Sequence, residues 1–289
     1  EKDWNTLAEV LEKQLALKSG DDERIRLLLK LGGLYADRLS DADSANRVWR
    51  RILEIDPKQG RALRSLRDSL VGQGEWDALE ALYARANDFE GLVDVLSSEA
   101  DRASQRALKV DLSLRVARIF EDKIGEPARA QRSYERVLQV DPENVRAARA
   151  LAPIYESEEK WGRLCAMLDI VLRSLAPDER EEKAELLARL RGLTQDRVRD
   201  SGTAFEYALR SYELAPERAA TREALEASAE AAQSFERVVE AYRLRAENTD
   251  SDEALLLWRR IAAIANQRLS RPDLAANYSE KVLELAPND

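Results

Sequence analysis

The chain has 289 residues, 46 basic and 55 acidic, so its net charge is −9, and 44% of its residues are apolar. That apolar content separates it from disordered chains. With only 11 Gly and 8 Pro in a background of Ala, Leu, Arg and Glu, it favours helix nearly everywhere. The absence of histidine excludes histidine general bases, Ser-His-Asp triads and histidine metal ligands. A single cysteine, Cys165, excludes disulfide frameworks and multi-cysteine metal sites. The acidic balance argues against binding a nucleic-acid backbone. No apolar stretch approaches the ~18–20 residues needed to cross a bilayer. The chain opens at Glu1 without Met or a visible signal peptide, so the expectation is a segment of a longer protein. The expected location is the cytoplasm, or the periplasm if a leader precedes Glu1.

In chain order, Trp4-x-x-Leu7-x-x-x-Leu11 opens a helix. A first hairpin runs from about Arg24 to Ile55. Its opening helix ends near Leu39, Asp41-Ala42-Asp43 supplies turn and N-cap chemistry, and Pro57 stops the second helix. A second hairpin covers Arg61 to about Ala86, with Gly72-Gln73-Gly74 as its turn. Phe89 then starts another helix 13 residues after Trp76, so an extra helix and a bend are expected within residues 76–103. Further on, a hairpin from Val145 to about Leu175 turns at residues 156–160, and the whole chain reads as about 16 helices.

Self-similarity organises these segments. Pro57, Pro142, Pro216 and Pro287 follow matching amphipathic runs, at separations of 85, 74 and 71 residues. Twelve residues before each proline stands Ala45, Ala130, Ala204 or Ala275, small enough to let two helix axes approach. Upstream, Leu27, Leu112, Leu186 and Leu257 are in register, as are Leu31, Val116, Leu190 and Ile261, then Leu34, Ile119, Leu193 and Ile264. Spacings of four and three mark one helical face.

Leu70, Gly74, Trp76, Leu79, Tyr83 and Ala86 follow a large residue, tight turn, aromatic and small residue at fixed intervals, and Tyr155, Trp161, Leu164, Leu168 and Val171 follow them without the glycine. In this the chain resembles the tetratricopeptide repeat family over nearly its whole length. It departs from the family by leucine at a position that prefers a small residue, and by one extra residue between Tyr35 and Ala45 that all four copies share. The resemblance implies a right-handed all-α solenoid of antiparallel helix pairs, 1–289 as one array, whose first helices line a concave surface. It also implies a non-catalytic scaffold for an extended peptide or a partner surface. The alternatives are an architectural spacer or oligomerisation segment, and a regulatory solenoid of a larger enzyme or receptor.

The candidate binding residues lie on the first helices. One position before the Leu31 stripe, the four copies carry Lys30, Arg115, Arg189 and Arg260, basic in every copy. Arg118 and Arg259 match other positions that the family uses for ligands. Two readings stand side by side. The column holds acidic side chains or a C-terminal carboxylate of a protein or peptide partner, or each cation pairs within the array, for which the column Asp37, Asp122, Asp196 and Gln267 offers partners. The recurring aromatics, Trp76, Trp161 and Phe235 among them, read as core packing. Cys165 reads as a small apolar residue. No Gly-rich phosphate loop or metal-ligand spacing occurs, so no cofactor, nucleic acid or membrane insertion is expected.

Overall fold

The computed structural model describes residues 3–287, so Glu1 lies outside them. Its helices are α1 (Trp4–Ala16), α2 (Asp21–Leu34), α3 (Ala42–Ile55), α4 (Gly60–Gln73), α5 (Trp76–Ala86), α6 (Phe89–Arg102), α7 (Arg106–Ile119) and α8 (Pro127–Val140). They continue as α9 (Val145–Ser157), α10 (Trp161–Ser174), α11 (Arg180–Leu193), α12 (Ser201–Leu214), α13 (Ala219–Ala232), α14 (Phe235–Ala246), α15 (Ser251–Gln267) and α16 (Pro272–Leu285). Connections of two to seven residues set successive helices antiparallel. Contacts divide the chain into two units, residues 1–133 and 134–289. In the first, each helix from α1 to α7 packs on its neighbour in sequence; in the second, the same holds from α9 to α16. This nearest-neighbour packing is what makes the chain an all-α solenoid of helix pairs.

Short polar residues set the helix starts. The side chains of Asp41, Asn144, Asp200 and Asp250 accept from the backbone N–H three residues on, at 3.0, 3.1, 3.0 and 3.0 Å. The extra residue after each opening helix is absorbed as a wide π turn over residues 35–39, 120–124 and 194–198. The backbone N–H of Asp41, Glu126 and Asp200 closes it onto the carbonyls of Tyr35, Phe120 and Thr194, at 3.0, 2.9 and 3.0 Å. The fourth copy makes the same bond from Arg271 to Ala265, at 2.8 Å. Each turn leaves one residue left-handed, and only the second copy places glycine there: Ser40, Gly125, Arg199 and Ser270 have φ of 53°, 76°, 62° and 54°.

The four-copy stripe faces the core. Leu31, Val116, Leu190 and Ile261 are 1%, 6%, 0% and 0% exposed. Ala45, Ala130 and Ala204 are buried beneath it, while Ala275 is half-buried. In the second unit a core of Phe205, Tyr212, Leu225, Tyr242 and Leu257 joins α12 to α15, with the rings of Tyr212 and Tyr242 edge to face at 5.2 Å.

Candidate functional site

The six candidate cations lie on four first helices, α2, α7, α11 and α15, and their surroundings differ sharply. Arg115 is locked in place. Its guanidinium lies 2.6 Å from Asp77, 2.6 Å from Glu80 and 2.8 Å from Asp111, with its side chain 15% exposed. Burial works against its charge, but the bonds to Asp111, Glu80 and Asp77 outweigh that and raise its pKa above the ordinary guanidinium value. One cation among three carboxylates leaves a locally negative cluster, the reverse of an anion site.

The matching arginines in the second unit each have one carboxylate. Arg189 reaches Glu156 of α9 at 2.7 Å, and both are about half exposed. Arg260 reaches Glu226 of α13 at 2.5 Å. Glu226 also accepts from the Tyr242 hydroxyl at 2.8 Å, and burial, followed by the Glu226 charge, pushes the Tyr242 pKa up. The acceptors come from the preceding hairpin, not from the column Asp37, Asp122, Asp196 and Gln267. Lys30 and Arg118 are exposed and make no ion pair among the described residues, and Arg259 is also exposed.

Half-open depressions mark two of these positions. Between α13 and α15 lies a cavity of about 440 Å³. Ala227, Phe235, Ala263 and Ile264 line its apolar part, and the Arg260–Glu226 and Arg268–Glu230 pairs form its rim. Ala263 occupies the register position of Arg118, and Gln267, also lining, that of Asp37. A second cleft, of about 400 Å³, lies between α1 and α2 and is lined by Leu17, Lys18, Arg26, Leu27 and Lys30. Among the described residues no group of three or more His, Cys, Asp or Glu is placed to hold a metal, and no helix is long and apolar enough to cross a membrane.

One recurring constellation is absent from the sequence reading. Arg38, Arg197 and Arg268, in register at the π turns, lie over the rings of Trp4, Trp161 and Phe235 at 5.4, 5.1 and 5.5 Å. These aromatics open the preceding helices and are half-buried instead of sealed in the core, because a guanidinium covers the open ring face. The signal lay one residue beyond the acidic column: Arg38, Lys123, Arg197 and Arg268 are basic in every copy.

No family model matches the chain, and no curated protein matches it. Among solved structures it is similar to MamA, with 18% identity over 65% of this chain and 90% of that one, at a TM-score of 0.25. It is also similar to PilF of Pseudomonas aeruginosa, with 18% identity, 94% and 96% coverage and a TM-score of 0.26. A third similarity is to the C-terminal part of a TPR repeat-containing protein from Cytophaga hutchinsonii, with 16% identity, 99% and 92% coverage and a TM-score of 0.30. These superpositions are loose; the helix pairs, their shared register and their nearest-neighbour packing make this chain an all-α array of helix pairs.

Proposed function

We propose that the chain is a non-catalytic interaction scaffold that holds an extended peptide or a partner surface along the face formed by its first helices. The observation that carries this reading is the depression between α13 and α15, where an apolar floor is rimmed by two partly exposed Arg–Glu pairs. Such pairs contribute only ~0–1 kcal/mol each. A partner carboxylate, on a side chain or at a C-terminus, therefore replaces Glu230 on the more exposed Arg268 at little cost or shares Arg260 with Glu226, while a neighbouring apolar side chain covers Ala263 and Ile264. Packed helices of the second unit form this depression before the partner arrives, so little ordering cost opposes binding there.

Within this reading the basic column divides by role. Lys30, Arg118, Arg189, Arg259 and Arg260 meet the partner, and Arg115 holds α7 to α5. A peptide array presenting acidic side chains and free C-terminal carboxylates tests it. Binding should be lost by a Lys30→Glu, Arg118→Glu, Arg189→Glu, Arg260→Glu variant that keeps its helical circular dichroism, and should weaken with salt. Equal binding by variant and wild type would move the interface off the first helices. Sedimentation showing concentration-dependent self-association, with no peptide bound, would favour the architectural alternative.

A further inference from the structure

A third depression lies in the first unit, among α3, α4 and α5, with no residue of α2 or α7 in its lining. It is a cavity of about 230 Å³ with Leu53, Leu70, Ala78 and Leu82 among its lining and Arg50 and Arg85 at its rim. Both arginines are exposed, and neither makes an ion pair among the described residues. Other arginines, Arg115, Arg129, Arg173, Arg189, Arg237 and Arg260 among them, are held by carboxylates.

The second copy, 85 residues on, shows why the space is open. Its equivalents of Leu70, Ala78 and Leu82 are Tyr155, Arg163 and Met167, two of them much larger. Its equivalent of Arg50 is Glu135, which accepts from the Tyr155 hydroxyl at 2.8 Å and from Arg163 at 3.4 Å. There the chain fills its own site with an aromatic ring and neutralises its own charge. In the first copy the ring is missing, α5 is only 11 residues long, and the carboxylate is replaced by a cation. The missing pieces are thus an apolar side chain and negative charge.

We propose that this cavity is a docking site for an acidic peptide segment of a partner protein, which inserts one leucine- or phenylalanine-sized side chain between α3 and α5 and places flanking carboxylates on Arg50 and Arg85. The site is independent of the first-helix face. Charge complementarity selects the partner, since two unpaired guanidinium groups beside an apolar slot favour acid–apolar–acid over neutral or basic segments. The apolar residue is the anchor and the carboxylates fix its orientation.

The test is selection of a displayed random dodecapeptide library on the full chain, with enriched peptides then measured on three variants. Ala81→Trp puts an indole into the cavity from an exposed position on α5, Arg50→Glu with Arg85→Glu reverses the rim, and Lys30→Glu with Arg118→Glu alters only the first-helix face. The expected result is a class of peptides with Leu or Phe flanked by Asp or Glu. Their affinity should fall at least about ten-fold on the filled and on the reversed variant, yet stay within about two-fold on the first-helix variant. Failure of that class to appear, or its full retention on Ala81→Trp, would overturn the proposal. So would enrichment of apolar peptides without acidic flanks that ignore the arginine reversal. If Ala81→Trp does not fold, by circular dichroism, the rim reversal at two exposed positions decides alone.

Discussion

Gly32→Ala is the substitution whose outcome the packing determines most directly. Gly32 is buried in α2, and the six-membered ring of Trp49 in α3 lies flat against it. A Cβ at Gly32 would stand 2.5, 2.6 and 2.8 Å from three ring carbons, about an ångström inside ordinary carbon–carbon contact at ~3.5 Å. Trp49 is 2% exposed, so its ring has no solvent to swing into. Replacing glycine by alanine within a helix gains ~1 kcal/mol from backbone propensity. Overpacking a closed interface costs ~1–3 kcal/mol. With three close contacts on a rigid ring the upper part of that range applies, so the net effect is a loss of ~1–2 kcal/mol. Urea unfolding followed by helical circular dichroism measures it, with hydrogen exchange in α2 and α3 localising the change. Gly192→Ala in α11 is the matched control: nothing lies within 4 Å of its Cβ position, so it should gain stability. The second copy supplies a rescue, because Ala117 and Tyr134 stand at the positions of Gly32 and Trp49, both buried. Gly32→Ala combined with Trp49→Tyr should therefore recover most of the loss. A single variant as stable as wild type, or a double variant no better than the single, would show that the Trp49 ring does not limit the space at Gly32.

Four other outcomes follow from particular residues. Ala130→Leu, at a 2% exposed position of α8, should lower stability by ~1–3 kcal/mol, and an unchanged unfolding curve would show the helix-pair register to be wrong. Gly74, Glu159 and Gln233 occupy one left-handed turn position in three copies, with φ of 71°, 54° and 52°. Gly74→Ala should therefore cost ~1–2 kcal/mol and Gln233→Gly should be stabilising, both read from thermal melts. Burial pushes the Cys165 thiol up against the pull of Arg189, so a disulfide reagent at neutral pH should modify it only as fast as the native fold opens. The hydrogen bond from Arg245, joined by one from Thr249, holds Glu253 below the ordinary glutamate range. A depressed carboxylate adds stability above its unfolded pKa and loses it as pH falls through the folded one. Glu253→Gln should thus be less stable than wild type at neutral pH, and the two should converge in acid; a gap independent of pH would mean that the charge of Glu253 plays no part.

Local periodicity along the chain specifies the helices, their number and the four-fold register. These depend on periodicity along the chain: the Leu31 stripe at spacings of four and three, the alanine twelve residues before each proline, and the N-capping aspartates. The one-residue lengthening after Tyr35 was legible only against the tetratricopeptide spacing, because all four copies share it; that the chain absorbs it as a π turn closed on Tyr35 required the backbone hydrogen bonds. The candidate site was legible only as a set of positions. Four equivalent cations looked alike in register, yet the fold gives Arg115 three carboxylates, Arg189 and Arg260 one each and Lys30 none among the described residues. Partners such as Asp77, Glu156 and Glu226 lie 38, 33 and 34 residues away, on helices whose facing registers differ between copies. Likewise Trp161 and Phe235, the half-buried aromatics beneath Arg197 and Arg268, read as core residues, since a helical period reports which face is apolar and not what covers it. Short-range periodicity fixes each helix, whereas charge pairing and cavities arise where side chains distant in sequence meet, and only tertiary packing sets those meetings.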